Sequence, residues 1–431
     1  MGFRLRRASL AVLLLFSTHF LSAQMKGEAA RDWPVVFRNT LEHNVLPFWV
    51  DHAPDKQYGD LLGRLDRTGE PVPPGDKSVV LIGRALWSFS EAYRRYPDPA
   101  YQKMAAECLK FLREKMRDKQ NGGYYFMVSR EGKVLDSSKQ LNPMSYVMEG
   151  LAEYALAFHD NQAAGEALDL FEVMDRHAHD NRYGGYRIAF TEDWQFIPDY
   201  KDGPNAEGSF GRKSYDWHLG LVEALATLYD VTGEARVRVR LEELLDIFVN
   251  NIIDAEAGYG RYYFHDDWSV ADRGGDSRQC EYGLDLEASW LLTEAAERVG
   301  RNRDARIRRA SLALVDHALR DGFDQQHGGI YRLGPAAGPA QNKDMGWWQQ
   351  MEALVAFLNA YQFTGDAKYW QAFDLEARFV MERFVDRGYG ELYTAIFDNG
   401  KLDDEKVGPW KAPYHVTRAF LEIISRLGGT L

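Results

Sequence analysis

Near the C-terminus, the run Gly408-Pro409-Trp410-Lys411-Ala412-Pro413-Tyr414-His415-Val416-Thr417-Arg418 gathers groups that could move protons and hold hydroxyls. Imidazole is suited to proton transfer near neutral pH. His415 and Arg418 stand three residues apart and so share one helical face. A helix cap with a hydrogen-bonded histidine would use the same residues. A second cluster, Lys213-Ser214-Tyr215-Asp216-Trp217-His218 with Glu223 following, offers His218 as a further catalytic candidate, and Lys213, Asp216 and Glu223 as binding candidates. His218 could equally bind nothing. A third, Tyr282-Gly283-Leu284-Asp285-Leu286-Glu287-Ala288-Ser289-Trp290, embeds Glu287 in an apolar helix start. A carboxylate there needs a partner, and Glu287 is either half of a structural ion pair or a sugar ligand or base. Trp347-Trp348-Gln349-Gln350-Met351-Glu352 poses the same question for Glu352 and adds Gln350. Adjacent tryptophans diverge on a helix, so one is expected at a pocket and the other in the core. Arg84 and Trp87, in an early helix, complete the set; Arg84 could hold a hydroxyl or an oxyanion, or lie on the surface.

These side chains must be brought together from the length of the chain, and a repeat shows how. Tyr58-Gly59, Asn121-Gly122-Gly123-Tyr124, Tyr183-Gly184-Gly185-Tyr186, Tyr259-Gly260, His327-Gly328-Gly329-Ile330-Tyr331 and Tyr389-Gly390 recur at near-regular intervals, as in repeated supersecondary units. Between them lie helical patterns over 31–48, 80–96, 98–117, 142–161, 163–177, 215–233, 235–252, 284–299, 303–320, 346–363, 366–385 and 412–427. Some carry apolar residues at three- and four-residue spacing, such as Leu241, Leu244, Leu245 and Phe248. Others, such as Leu151 to Phe158, are apolar nearly all round and so buried on several sides. The pattern predicts an all-α (α/α)6 barrel of twelve helices, the apolar ones inside and the amphipathic ones outside. Short β-hairpins are expected in the glycine loops on one face. An open helical solenoid is the alternative.

The 431 residues carry a formal charge of −12, which argues against a nucleic-acid partner. Tryptophans number 11 and tyrosines 23; they fill a large core or stack on sugar faces. Arg4, Arg6 and Arg7, the apolar run from Leu10 to Phe16, and Ser22-Ala23 read as a secretory signal over 1–23, with a single catalytic barrel over 24–431. That predicts export, to a bacterial periplasm, and no stable membrane insertion after cleavage. The two cysteines, Cys108 and Cys280, are expected to be unpaired. A mono- or oligosaccharide is the expected substrate, with a monomer or weak dimer as the working form.

Taken in order, these motifs resemble the N-acylglucosamine 2-epimerase superfamily, and its cellobiose 2-epimerase branch in particular. The resemblance rests on Gly408-Pro-Trp-Lys-x-Pro-Tyr-His415, Asp285-x-Glu-Ala-Ser-Trp-Leu-Leu292 and Trp347-Trp-x-Gln-x-Glu352, with Arg84-x-Leu-Trp-x-Phe-Ser90 and Lys213, His218 and Glu223 in support. It implies an (α/α)6 barrel with no metal and no cofactor, acting at C2 of an aldose, or of the reducing-end sugar of an oligosaccharide. A base takes the C2 proton, an enediolate forms, and a proton returns to C2 to give an epimer or to C1 to give a ketose. The resemblance makes His415 one of the family's two usual histidines and places Leu284 where the other stands. Asn142, Met144, Asp216 and Gly220 also depart from the family pattern. Leucine neither donates nor accepts a proton, which leaves two other readings open: a glycoside hydrolase using carboxylates of the same barrel, and a non-catalytic sugar-binding protein.

Overall fold

The computed structural model describes residues 31–198, 212–271 and 279–428. The expected signal segment lies outside the described residues.

Among the described residues, twelve helical rods form two concentric rings. The inner ring is α3 (Val79–Arg95), α5 (Leu141–Phe158), α7 (Tyr215–Thr232), α9 (Tyr282–Arg298), α11 (Trp347–Thr364) and α13 (Tyr414–Arg426). The outer ring is α1 (Trp33–Thr40) with α2 (Leu46–His52), then α4 (Pro99–Phe111), α6 (Asn161–Ala178), α8 (Ala235–Ile247), α10 (Ala305–His317) and α12 (Ala367–Phe379). Each inner helix packs on the next, and α13 packs on α3. The ring is therefore closed, not an open solenoid. The outer helix α1 lies against α13, so the two ends of the described chain meet. Next to this seam, Trp33 donates to Asp374 of α12, and Trp49 donates to Glu391 in the loop beyond α12.

Local chemistry accounts for the ends of these helices. Asp98, Asp160, Asp304 and Asp366 cap α4, α6, α10 and α12 by accepting from free N–H groups of the first turn. Gly233 and Gly365 end α7 and α11 in the left-handed region. The predicted helix 31–48 is instead two pieces joined by a wide turn over Leu41–Val45. Pro47 has no N–H for the regular ladder, and the amide of Leu46 reaches back to the carbonyl of Leu41. The last helix starts at Tyr414, two residues later than predicted, because Pro413 occupies its cap.

The glycine loops all lie between an outer helix and the following inner one. Each is built on an aspartate that sequence reading passed over: Asp55, Asp118, Asp180, Asp254, Asp324 and Asp386. Every one accepts two amides of its own loop on Oδ1, as Asp180 does from Arg182 and Tyr183. The amide four residues on returns to its carbonyl. In the fourth loop that amide belongs to Gly258, with φ of +86°, and not to Gly260, on which the sequence repeat was aligned.

The expected hairpins take a different form. Strands of two or three residues stitch each unit to the next: β1 (Lys77–Ser78) pairs with β2 (Met127–Val128), β4 (Lys139–Gln140) with β5 (Ala189–Phe190), and β6 (Lys213–Ser214) with β9 (Tyr263–Phe264). β10 (Gln279–Glu281) pairs with β11 (Leu333–Pro335), and β12 (Met345–Gly346) with β13 (Ala395–Ile396). All these strands lie where the inner helices begin, and so they fix which turn of each inner helix looks into the mouth of the ring. Cys108 and Cys280 are free and buried. No helix among the described residues is long and apolar enough to cross a membrane.

Candidate functional site

The strand residues put the inner helices in a common register. Seven residues beyond Lys77, Lys139, Lys213, Cys280, Met345 and Lys411 stand Arg84, Tyr146, Gly220, Glu287, Glu352 and Arg418, one from each inner helix. They form a ring across the barrel interior. Above it lies a cavity of about 460 Å³, within the range of small-ligand sites. His415 lines it, flanked by Trp348 and Trp347 at ring-centroid distances of 5.7 and 6.4 Å. Both tryptophans therefore reach the cavity, contrary to the expectation of one. Trp347 is the first residue of α11, where the strand has only just become helix.

The imidazole is held from behind. His415 Nδ1 lies 2.7 Å from Glu352 Oε1. Both oxygens of Glu352 also accept from other groups: Oε1 from Arg418 at 2.6 Å and Oε2 from Trp290 Nε1 at 3.0 Å. An acceptor-only carboxylate facing Nδ1 places the proton there and leaves the lone pair on Nε2. Burial, and then the positive charge of Arg84, push His415 well below the usual imidazole value, with Arg418 adding to the effect. The ring is thus neutral, with its Nε2 lone pair unprotonated, at neutral pH.

Arg418 bridges three carboxylates. Its guanidinium contacts Glu223 and lies 2.6 Å from both Glu287 Oε1 and Glu352 Oε1; it also donates to the Tyr414 hydroxyl at 2.9 Å. Burial raises Glu287, as does repulsion from Glu352, while Arg418 opposes both. Glu287, Glu352 and His415 have donor atoms within 4.8 Å of one another, a spacing that a metal could use. The guanidinium already holds a positive charge between the two carboxylates, so these residues do not fit a metal ion. Arg84 donates to the carbonyl of Trp410 at 2.7 Å and to the Tyr146 hydroxyl at 2.7 Å, and its guanidinium stacks over the Tyr146 ring. It is buried, not at the surface.

The cavity thus collects Arg84, Asp216, Glu223, Glu287, Trp347, Trp348, Trp410 and His415 from the predicted set, with Glu352 and Arg418 directly behind His415. Four predicted residues are elsewhere. His218 Nδ1 meets the carbonyl of Ser214 at 2.7 Å, and Nε2 accepts from the Tyr186 amide at 2.9 Å. Both nitrogens are occupied, and burial drives its pKa down to about 3. Gln350 does the same for the Ile330 amide at 2.7 Å, and Asp285 for the Gly260 amide at 2.9 Å. These three residues share one register position, five beyond the strand residue, and each staples a glycine loop. Lys213 is a buried pin, 2.9 Å from Asp180, with counterparts in Lys77–Asp55 and Lys139–Asp118. Trp87 packs edge-on against Tyr414 and lines a separate cavity on the far side of Arg418.

His218→Ala is accordingly expected to strand the Tyr186 amide and cost about 1–3 kcal/mol of stability. The kcat of the folded fraction should stay within a few-fold. A denaturation midpoint measured alongside turnover checks this, and a collapse of kcat at unchanged stability would restore His218 to the chemistry.

Asn142, Gly220 and Leu284, where the chain departs from the family pattern, line the cavity, and sequence reading missed Tyr146, Tyr262, Glu281 and Arg332 altogether. Tyr146 was legible from the register it shares with Arg84. Tyr262 stands two residues before Phe264, the strand partner of Lys213, and Arg332 two before Gly334, the partner of Cys280, which only the pairing reveals.

A profile of the N-acylglucosamine 2-epimerase (GlcNAc 2-epimerase) family matches residues 61–419. The chain belongs to the N-acylglucosamine 2-epimerase family. By that membership it is a carbohydrate epimerase acting at C2. The cellobiose 2-epimerase of Bacteroides fragilis is 30% identical over 386 residues, covering 89% of this chain and 96% of its own. The N-acylglucosamine 2-epimerase of Bos taurus is 26% identical over 411 residues, covering 91% and 90%. The solved cellobiose 2-epimerase of Bacillus thermoamylovorans superposes with a TM-score of 0.84 at 28% identity, over 91% of this epimerase and 99% of that chain.

Proposed function

We propose that the protein inverts C2 of an aldose, free or at the reducing end of an oligosaccharide, with His415 Nε2 as the base that removes the C2 proton. The observation that carries this is the His415–Glu352 pair, which leaves a neutral imidazole beside a cavity walled by tryptophans. In the open-chain sugar the C1 aldehyde acidifies C2–H. Proton loss to Nε2 moves the electron pair into an enediolate, whose oxygen charge would be met by donors such as Arg84. Reprotonation at C2 from the opposite side gives the epimer, and reprotonation at C1 gives a ketose.

An oligosaccharide reducing end is favoured by Trp410, 38% exposed at the rim, which offers a stacking face for a second sugar. The names of the cellobiose 2-epimerase relatives point the same way. Export to a periplasm forms part of the proposal, on the strength of Arg4, Arg6 and Arg7 ahead of an apolar run. Cell fractionation tests it, with recovery in the cytoplasmic fraction as the contrary result.

The activity is tested by incubating the purified protein with glucose, mannose, N-acetylglucosamine and cellobiose in D2O and following the products by NMR. The expected result is an epimer carrying deuterium at C2. Monosaccharide release from cellobiose without epimer would indicate a hydrolase instead, and binding without turnover a sugar-binding protein. The base form of His415 is the active one, so the rate should fall as pH drops through its lowered pKa. The acid limb is therefore expected below the ordinary imidazole value of about 6.5. An acid limb at or above that value would point to another base.

A further inference from the structure

Inversion at C2 needs a second group able to give a proton on the face that His415 does not serve. We propose that Glu281 is that group, a catalytic acid–base residue that protonates C2 of the enediolate from the side of the cavity formed by α7 and α9. The assignment rests on the C2 reading above.

Glu281 ends β10 and occupies the N-cap position of α9 without a side-chain cap bond, and it lines the same cavity as His415. The two enter from different sectors of the ring. His415 comes from α13 with Trp347 and Trp348 of α11 beside it, whereas Glu281 stands with Asp216 of α7, Tyr262 and Arg332. The corresponding register position in the other units is Ser78, Gln140, Ser214, Gly346 or Ala412, so only this unit presents an ionisable side chain there. The remaining acids of the cavity are engaged. Glu223 and Glu287 are bound by Arg418, and Asp216 is bonded to the Tyr262 hydroxyl. Leu284, one helical turn beyond Glu281, is aliphatic. Among the described residues, the Glu281 carboxyl has no hydrogen bond or ion pair. The charged groups around it are Arg332, Asp216 and Glu287. Burial raises its pKa to about 7, aided by repulsion from Asp216 and Glu287 and opposed by Arg332, so acid and carboxylate coexist near neutral pH.

The protons balance. The C2–H bond breaks to His415 Nε2, and its electron pair becomes the C1–C2 double bond of the enediolate. The Glu281 O–H bond then breaks as C2–H re-forms on the other face and the aldehyde returns. The enzyme is left with imidazolium and carboxylate, which solvent exchange or a turnover in the reverse direction resets. No other reactant is needed.

The test uses the full chain, Glu281→Gln and Glu281→Asp, and cellobiose in D2O, with deuterium at C2 of unreacted cellobiose read separately from epimer. His415 alone can remove and return a proton on its own face. Glu281→Gln should therefore keep exchange into cellobiose within a few-fold while epimer formation falls about 10²-fold or more. Glu281→Asp should recover part of the epimer rate. A purely structural role would lower both readouts together or shift the melting temperature. Equal loss of exchange and epimer overturns the assignment, as does epimer formation at the wild-type rate in Glu281→Gln. Wild-type protein that neither exchanges nor inverts any of the four sugars above overturns the C2 reading itself.

Discussion

His415→Asn is expected to lower kcat for sugar inversion by about 10²–10⁴-fold, the usual worth of a positioned acid–base group. Asparagine fills a similar volume and can still donate to Glu352, so the buried carboxylate keeps its partner and the fold should survive. What is lost is the one basic lone pair at Nε2. Deuterium exchange at C2 should fall by the same factor as epimer formation, because proton removal precedes both fates of the enediolate. This common loss separates His415 from Glu281, whose removal should split the two readouts. NMR of the reaction in D2O, together with a melting curve, checks the prediction. Exchange within a few-fold of wild type in a folded variant would remove His415 from the chemistry.

Arg418→Met is expected to have the largest effect on stability, about 3–5 kcal/mol, seen as a lowered denaturation midpoint. The Arg418 side chain is only 4% exposed, and its guanidinium binds Glu223, Glu287 and Glu352 together. Without it these carboxylates repel one another in a site from which water is excluded, or must take up protons. Either outcome loosens the grip of Glu352 on His415, so turnover should fall as well. Arg418→Lys keeps the charge but not the fork that reaches three partners, and it should restore stability only in part. A midpoint unchanged in Arg418→Met would show that the acids are already neutral in the wild type.

Much of this architecture was legible in the residues. The glycine-aromatic repeat and the alternation of apolar and amphipathic helices predict the double ring, and the structure differs from that mainly at Pro47 and Pro413. His415, Arg84, Glu287 and the tryptophan pair were legible because each is a polar or aromatic group in an otherwise apolar helix start. The same signal misled at His218 and Gln350. Residues five and seven beyond the strand both begin a buried helix, yet about 200° of rotation separates them. One set faces the glycine loop and the other faces the cavity. Aligning the six units on their aspartates would have separated the sets, since Asp285 shares the loop-facing place. Tyr262 and Arg332 were not legible, because strands of two or three residues carry too little pattern to announce their register.

The helix that closes the ring, α13, also carries Tyr414, His415 and Arg418, and it is the last of the six inner helices in chain order. During synthesis the first five inner helices must therefore wait as an incomplete arc, with an apolar flank of α3 unpartnered until α13 arrives. Competence to turn over sugar cannot be acquired by degrees: a chain that stops short of residue 408 lacks the base, the guanidinium and the packing of α1 on α13 at once. Such fragments should be recovered as inert, aggregation-prone material, and a separately supplied C-terminal helix would have to rebuild catalytic competence and mechanical closure in a single docking event.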